Sequence, residues 1–62
     1  MSRKEILLLN LLCEQVGIKT AVELEKFKAK TKASTNDELI RKLALCVAFD
    51  RTLAEVLNNE YI

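Results

Sequence analysis

The hydrophobic pattern begins with a leucine-rich segment that has helical spacing. We predict a first helix from about Arg3 to Val16, because Gly17 suits the left-handed position after a helix and Ile18 can cover its last turn. On a helical wheel, only a narrow sector is consistently polar. An ordinary surface helix has one apolar stripe, so this helix needs covering on several sides. Its apolar residues are Ile6, Leu7, Leu8, Leu9, Leu11, Leu12, Cys13 and Val16.

A second helix is predicted from a capping box, a Thr whose side chain caps a helix with a Glu three residues later. Thr20 and Glu23 have this spacing, so the helix should begin near Ala21. The helical period directs one set of side chains toward the same side. That set is Ala21, Leu24, Phe27 and Thr31.

The segment STNDE, residues 34–38, signals the start of a third helix that should run to about Ala48. Either Ser34 or Thr35 can cap it, and Asp37 and Glu38 in the first turn favour the helix dipole. Five apolar residues of this helix form one stripe, and two further large apolar side chains lie on a different side of the helix. The stripe consists of Leu39, Ile40, Leu43, Cys46 and Val47, and the two residues outside it are Leu45 and Phe49.

A short fourth helix is predicted from Leu53 to about Asn59. Either Asp50 or Thr52 can cap it, and Glu55 completes a capping box with Thr52. Because no Gly or Pro separates the third and fourth segments, residues 36–59 could instead form one helix. We favour a break at Asp50, since a cap explains this aspartate and a buried apolar seam does not.

Composition places the chain in the all-α class. Its 62 residues include one Gly, no Pro and no Trp, with Leu, Ala, Lys and Glu abundant. We therefore predict one domain, residues 1–62, of three or four short helices. The longest uncharged apolar run, residues 6–13, is far shorter than the roughly 20 residues that span a bilayer. With two cysteines interpreted as buried free thiols and no signal peptide, we expect a cytoplasmic protein without a membrane partner.

The leucine content exceeds what one small core can cover. Large apolar side chains left in water mark a partner surface, because burying each one contributes about 1.5–3 kcal/mol. Two-fold self-association is the commonest solution, so we predict a helical homodimer, with a foreign protein as the alternative partner. The expected interface residues are Leu8, Leu9, Leu11, Leu12, Leu45 and Phe49.

Charge is unevenly distributed along the chain. Residues 1–34 carry seven Lys and Arg against four Glu, a net +3, whereas residues 35–62 carry three against five acidic residues, a net −2. This layout permits contact with DNA through the first half. The candidate nucleic-acid-binding residues are Lys26, Lys28, Lys30, Lys32, Arg41 and Lys42.

The alternating lysines at 26–32 fit either the solvated end of a helix or a β-strand. As a strand, KAKTKAS followed by DRTLAEVL resembles the ribbon-helix-helix family, although Asp50 stands where that family has a turn glycine. Alternatively, TAVELEKF and TNDELIRKLAL resemble the two helices of a helix-turn-helix, with Asn36, Arg41 and Lys42 facing DNA. Lys and Ala form strands poorly, so we predict a helix end.

The residue types argue against catalysis. The chain has no His and no Gly-rich phosphate loop, and its carboxylates mostly stand at predicted helix starts, where capping explains them. We therefore expect no enzyme, cofactor, metal site or small-molecule substrate. The leading hypothesis is a small transcription-associated homodimer that contacts DNA, or a DNA-binding protein, through its lysines. The competing hypothesis is a protein-interaction module, such as an antirepressor, inhibitor or adaptor.

Overall fold

The protein is all-α throughout the part of the chain that the structure, a computed structural model, describes. That part is residues 2–59, without the side chain of Asn59. It contains four helices: α1 (Arg3–Val16), α2 (Ala21–Thr31), α3 (Asn36–Ala48) and α4 (Leu53–Asn59). The predicted helices are confirmed, and residues 3–59 contain no strand. A strand over the lysines at 26–32, as in a ribbon-helix-helix, is therefore wrong.

Each helix start is fixed by a side chain close to it in sequence. The hydroxyl of Ser2 accepts the Glu5 amide at 3.2 Å at the start of α1. The other three starts share the pattern Thr-x-x-Glu, in which the Thr hydroxyl accepts the Glu amide at 3.1–3.4 Å. These pairs are Thr20 with Glu23, Thr35 with Glu38, and Thr52 with Glu55. Thr35 rather than Ser34 caps α3, and Thr52 rather than Asp50 caps α4.

The first three helices also end in a common way. A residue with left-handed backbone conformation follows each, with φ of 95° at Gly17, 58° at Lys32 and 56° at Asp50. The next amide then donates to a carbonyl five residues earlier, which satisfies a free carbonyl at the helix end. These bonds are Ile18–Cys13 at 2.8 Å, Ala33–Lys28 at 3.1 Å and Arg51–Cys46 at 2.7 Å.

The break between α3 and α4 is confirmed, but the explanation offered for Asp50 is wrong. Asp50 does not cap α4. Its amide donates to the Val47 carbonyl at 3.1 Å, and its positive φ turns the chain out of α3. Asp is one of the residues that tolerate the left-handed region. Asp50 therefore occupies a position after the helix where glycine is the usual residue. A continuous helix over residues 36–59 is excluded.

The core is formed where α1 packs against α3 and α2 packs against α4. Every helix contributes, and the largest fully buried side chains are Phe27, Leu39 and Leu43. Leu9, Leu12, Cys13, Leu24 and Leu57 pack against this core while remaining half-buried. The buried apolar residues are Val16, Ile18, Phe27, Ala33, Leu39, Leu43, Cys46, Leu53 and Val56.

Two predicted apolar stripes are only partly buried. On α2, Phe27 and Thr31 are buried as expected, and the Thr31 hydroxyl donates to the Phe27 carbonyl at 2.8 Å. Ala21, expected on the same side, is exposed at the start of the helix. On α3, Val47 stays 39% exposed at the end of a stripe that is otherwise directed inward.

Candidate interaction surfaces

Helix α1 has two apolar faces with different environments. Leu9, Leu12, Cys13 and Val16 follow helical spacing along the face that packs against the core. Leu7, Leu8 and Leu11 follow the same spacing on another side, which we call the outer face of α1. Leu7 is 57% exposed and Leu11 is 59% exposed, and Leu8 is 44% exposed. Only Val16 of this helix is fully buried.

The α1 residues that the sequence predicts at the interface differ in their exposure. Leu8 and Leu11 remain accessible, whereas Leu9 and Leu12 are half-buried because the chain's own core covers them. The sequence argument omitted Leu7, which is among the most exposed leucines. The signal that could have found it is the spacing Leu7–Leu8–Leu11, since residues three and four apart share a side of a helix.

A second apolar surface lies at the end of α3. Leu45 is 43% exposed and Phe49 is 69% exposed, so both expected residues are accessible. An open depression of about 470 Å³ lies beside Leu45 along α3. Its lining is nearly all apolar and consists of Arg41, Ala44, Leu45 and Ala48.

The four alternating lysines do not share one environment. Lys26 and Lys30 are exposed and lie four residues apart on α2, one helical turn from each other. Lys28 is half-buried, and its Nζ lies 3.7 Å from a carboxylate oxygen of Glu25. Lys32 is exposed just beyond the helix in the left-handed conformation. Lys30 in the last turn of α2 and Lys32 at its C-cap favour the helix dipole, and Lys26 lies one turn before Lys30.

Arg41 and Lys42, the two basic residues predicted to contact DNA from α3, have separate roles. Arg41 is exposed. Lys42 is half-buried, and its Nζ donates to the Thr31 carbonyl, one of the free carbonyls at the end of α2. This hydrogen bond ties α3 to α2. In addition, α3 begins with Asp37 and Glu38, which would repel a phosphate backbone there.

Neither cysteine is set up as a reactive group. Both thiols are free, with Cys46 buried and Cys13 half-buried. Burial raises the pKa of Cys13. Burial also raises the pKa of Cys46, opposed by the positive charge of Arg51 and a backbone hydrogen bond. Because the thiolate is the nucleophile and the metal ligand, both changes suppress that chemistry near neutral pH.

Within residues 2–59, no three Cys, Asp or Glu side chains are grouped so that they could hold a metal ion. No helix in that range is long and apolar enough to cross a membrane. Comparison with known proteins adds no relative: no protein-family model, curated protein or solved structure matches the chain.

Proposed function

We propose that the protein is a small regulatory binding module that acts by associating with another polypeptide through the outer face of α1. The observation that carries this proposal is the exposure of Leu7 and Leu11, each of which leaves more than half of its surface in water. Covering each would contribute about 1–1.5 kcal/mol, roughly half of the value for a fully buried leucine. Contiguous apolar surface of this kind marks a binding site on a small domain.

The position of this face on α1 supports the same proposal. Among the described residues before Leu9, Leu7 is 57% exposed, and Ile6 and Leu8 are 45% and 44% exposed. The first half of α1 therefore presents large apolar side chains of which the described part of the chain leaves a substantial fraction in water. Apolar side chains exposed in this way are available for a partner.

Site-specific photocrosslinking tests the proposal. Leu11 is replaced by p-benzoylphenylalanine, and the protein is irradiated in its native cells. We expect one discrete adduct, because a specific partner covers this position. The matched control places the same residue at Val22, a 64% exposed apolar position on α2, and should give no such adduct. Absence of an adduct at Leu11, or equal adducts at both positions, would contradict the proposal.

A second candidate function is contact with nucleic acid, favoured by the lysines at the end of α2. Lys26, Lys30 and Lys32 are exposed, and none of them forms an ion pair within residues 2–59. Such a patch would bind phosphates without reading sequence, so affinity for duplex DNA should fall steeply with salt. Each phosphate contact contributes about 0.9 to the slope of log affinity against log salt.

The test of this candidate is retention on duplex DNA as a function of salt. The variant Lys26→Gln/Lys30→Gln/Lys32→Gln should lose up to about three units of slope, whereas Lys19→Gln, which changes a loop lysine, should not. A wild-type protein that is not retained at low salt would eliminate this candidate.

A further inference from the structure

Three charged residues of α1 stand at the helix end where their charge opposes the dipole. A helix is stabilised by negative side chains in its first turn and positive ones in its last. Every helix has an acidic residue in its first turn: Glu5 in α1, Glu23 in α2, Asp37 and Glu38 in α3, and Glu55 in α4. In α1, Arg3 and Lys4 stand in the first turn and Glu14 stands in the last. Their placement costs stability within one chain and needs another explanation.

Lys4 and Glu14 are also placed symmetrically about the outer face. Lys4 precedes Leu7 by three residues, and Glu14 follows Leu11 by three. Both are exposed, and neither forms an ion pair within the described part of the chain. The pattern from Lys4 to Glu14 is therefore a leucine patch with a positive charge at one end and a negative charge at the other.

We propose that the partner of the outer face is a second copy of this chain, packed with the two α1 helices antiparallel. This proposal rests on the binding module proposed above. A two-fold axis beside position 9 brings Leu7 opposite Leu11 of the second copy and Lys4 opposite Glu14 of the second copy. The attractive Lys4–Glu14 pair then forms twice, and the two helix dipoles run in opposite directions. The parallel arrangement instead places Lys4 beside Lys4 and Glu14 beside Glu14.

The area that two α1 helices can bury against each other indicates how tightly the dimer should bind. Standard interfaces bury about 800 Å² on each partner, which is roughly a fifth of the 4418 Å² surface of this chain. One face of a 14-residue helix covers less than that. The dimer is therefore of the weak, exchanging kind, and its dissociation constant is expected in the micromolar range.

Charge reversal measured by sedimentation equilibrium tests the arrangement. The wild-type chain should approach twice its mass of 7.1 kDa across micromolar concentrations. Lys4→Glu and Glu14→Lys should each weaken dimerisation by roughly tenfold, because two attractive pairs become repulsive. The double variant Lys4→Glu/Glu14→Lys restores opposite charges and should return to within about twofold of wild type.

Folding and charge effects are separable in this design. Each single substitution improves the charge at its own helix end, so the monomer should be as helical and as stable as wild type, or more so. A loss of dimer therefore cannot come from unfolding. Lys19→Glu makes the same charge change as Lys4→Glu in the loop before α2, and it should leave dimerisation unchanged.

The outcomes distinguish this inference from the proposed function. A wild-type chain that stays monomeric, or a dimer whose affinity the single reversals do not change, would overturn the antiparallel pairing. A photocrosslinked adduct at Leu11 with twice the chain mass supports it. An adduct with a different protein or with a nucleic acid overturns the self-pairing. If the adduct is with a different protein, the proposed binding module still holds. The absence of any adduct overturns both the self-pairing and the binding module.

Discussion

Replacing Asp50 by glycine should make the folded chain more stable. Asp50 has a φ of 56°, in the left-handed region, and its amide donates to the Val47 carbonyl at 3.1 Å as α3 ends. Glycine occupies this region without steric cost, as Gly17 does at the end of α1. The substitution keeps the backbone conformation and its hydrogen bonds while removing the strain.

Three contributions set the size of this effect. The left-handed conformation costs an ordinary residue about 1–2 kcal/mol, and Asp somewhat less. Glycine lowers the stability of the folded chain by about 0.5–1 kcal/mol, because it makes the unfolded chain more flexible. Removing a negative charge from the C-terminal end of α3 adds about 0.3 kcal/mol or more. The net gain is about 0.5–1 kcal/mol, which raises the melting temperature of a domain this size by about 2–8 °C.

Thermal unfolding followed by circular dichroism, at one fixed protein concentration, measures this gain. Asp50→Asn is the matched control, because it removes the charge and keeps a side chain that tolerates the left-handed region. Asp50→Ala keeps the Cβ atom without that tolerance and should melt below Asp50→Asn. We expect the melting temperature to be highest for Asp50→Gly, lower for Asp50→Asn and lowest for Asp50→Ala. A glycine variant that melts no higher than the asparagine variant would refute the strain argument.

Further predictions follow from single contacts. Lys42→Met should lower the free energy of unfolding by about 1 kcal/mol in urea, because the Thr31 carbonyl loses its donor. Thr52→Ala should cost about 1 kcal/mol and speed amide exchange in α4. Because burial raises both thiol pKa values above the ordinary 9.0, the folded chain holds these protons more tightly. Stability should therefore fall as the pH rises through 9.0 and above it, and less steeply in Cys13→Ala/Cys46→Ala.

The helices were predictable from sequence because their limits depend on nearby residues. Each Thr-x-x-Glu pair lies within one turn, so Thr20 and Thr52 could be recognised with their glutamates in the sequence alone. Gly17 is equally readable, because glycine is the usual residue after a helix. Lys32 and Asp50 adopt the same conformation without being glycine. Only the hydrogen bonds of the folded chain reveal that these two residues end α2 and α3.

The candidate surfaces were less predictable, because they depend on contacts between distant residues. Lys42 looked like a free basic residue, but Thr31, eleven positions earlier, accepts its hydrogen bond. The leucines of α1 are nearly indistinguishable by type. Which of them face inward depends on where α3 packs, so Leu9 was assigned to a partner interface and Leu7 was left out.

The two halves of α1 have different means of support, and this difference connects its folding to the proposed association. From Leu9 to Val16, the helix packs against the core. Before Leu9, the Ser2 hydroxyl caps the helix, and Ile6, Leu7 and Leu8 are 45%, 57% and 44% exposed. Short helices without tertiary contacts are marginal in water. A partner that covers Leu7 and Leu8 would therefore stabilise the first two turns as well as bury their leucines, so association and the order of this segment should increase together.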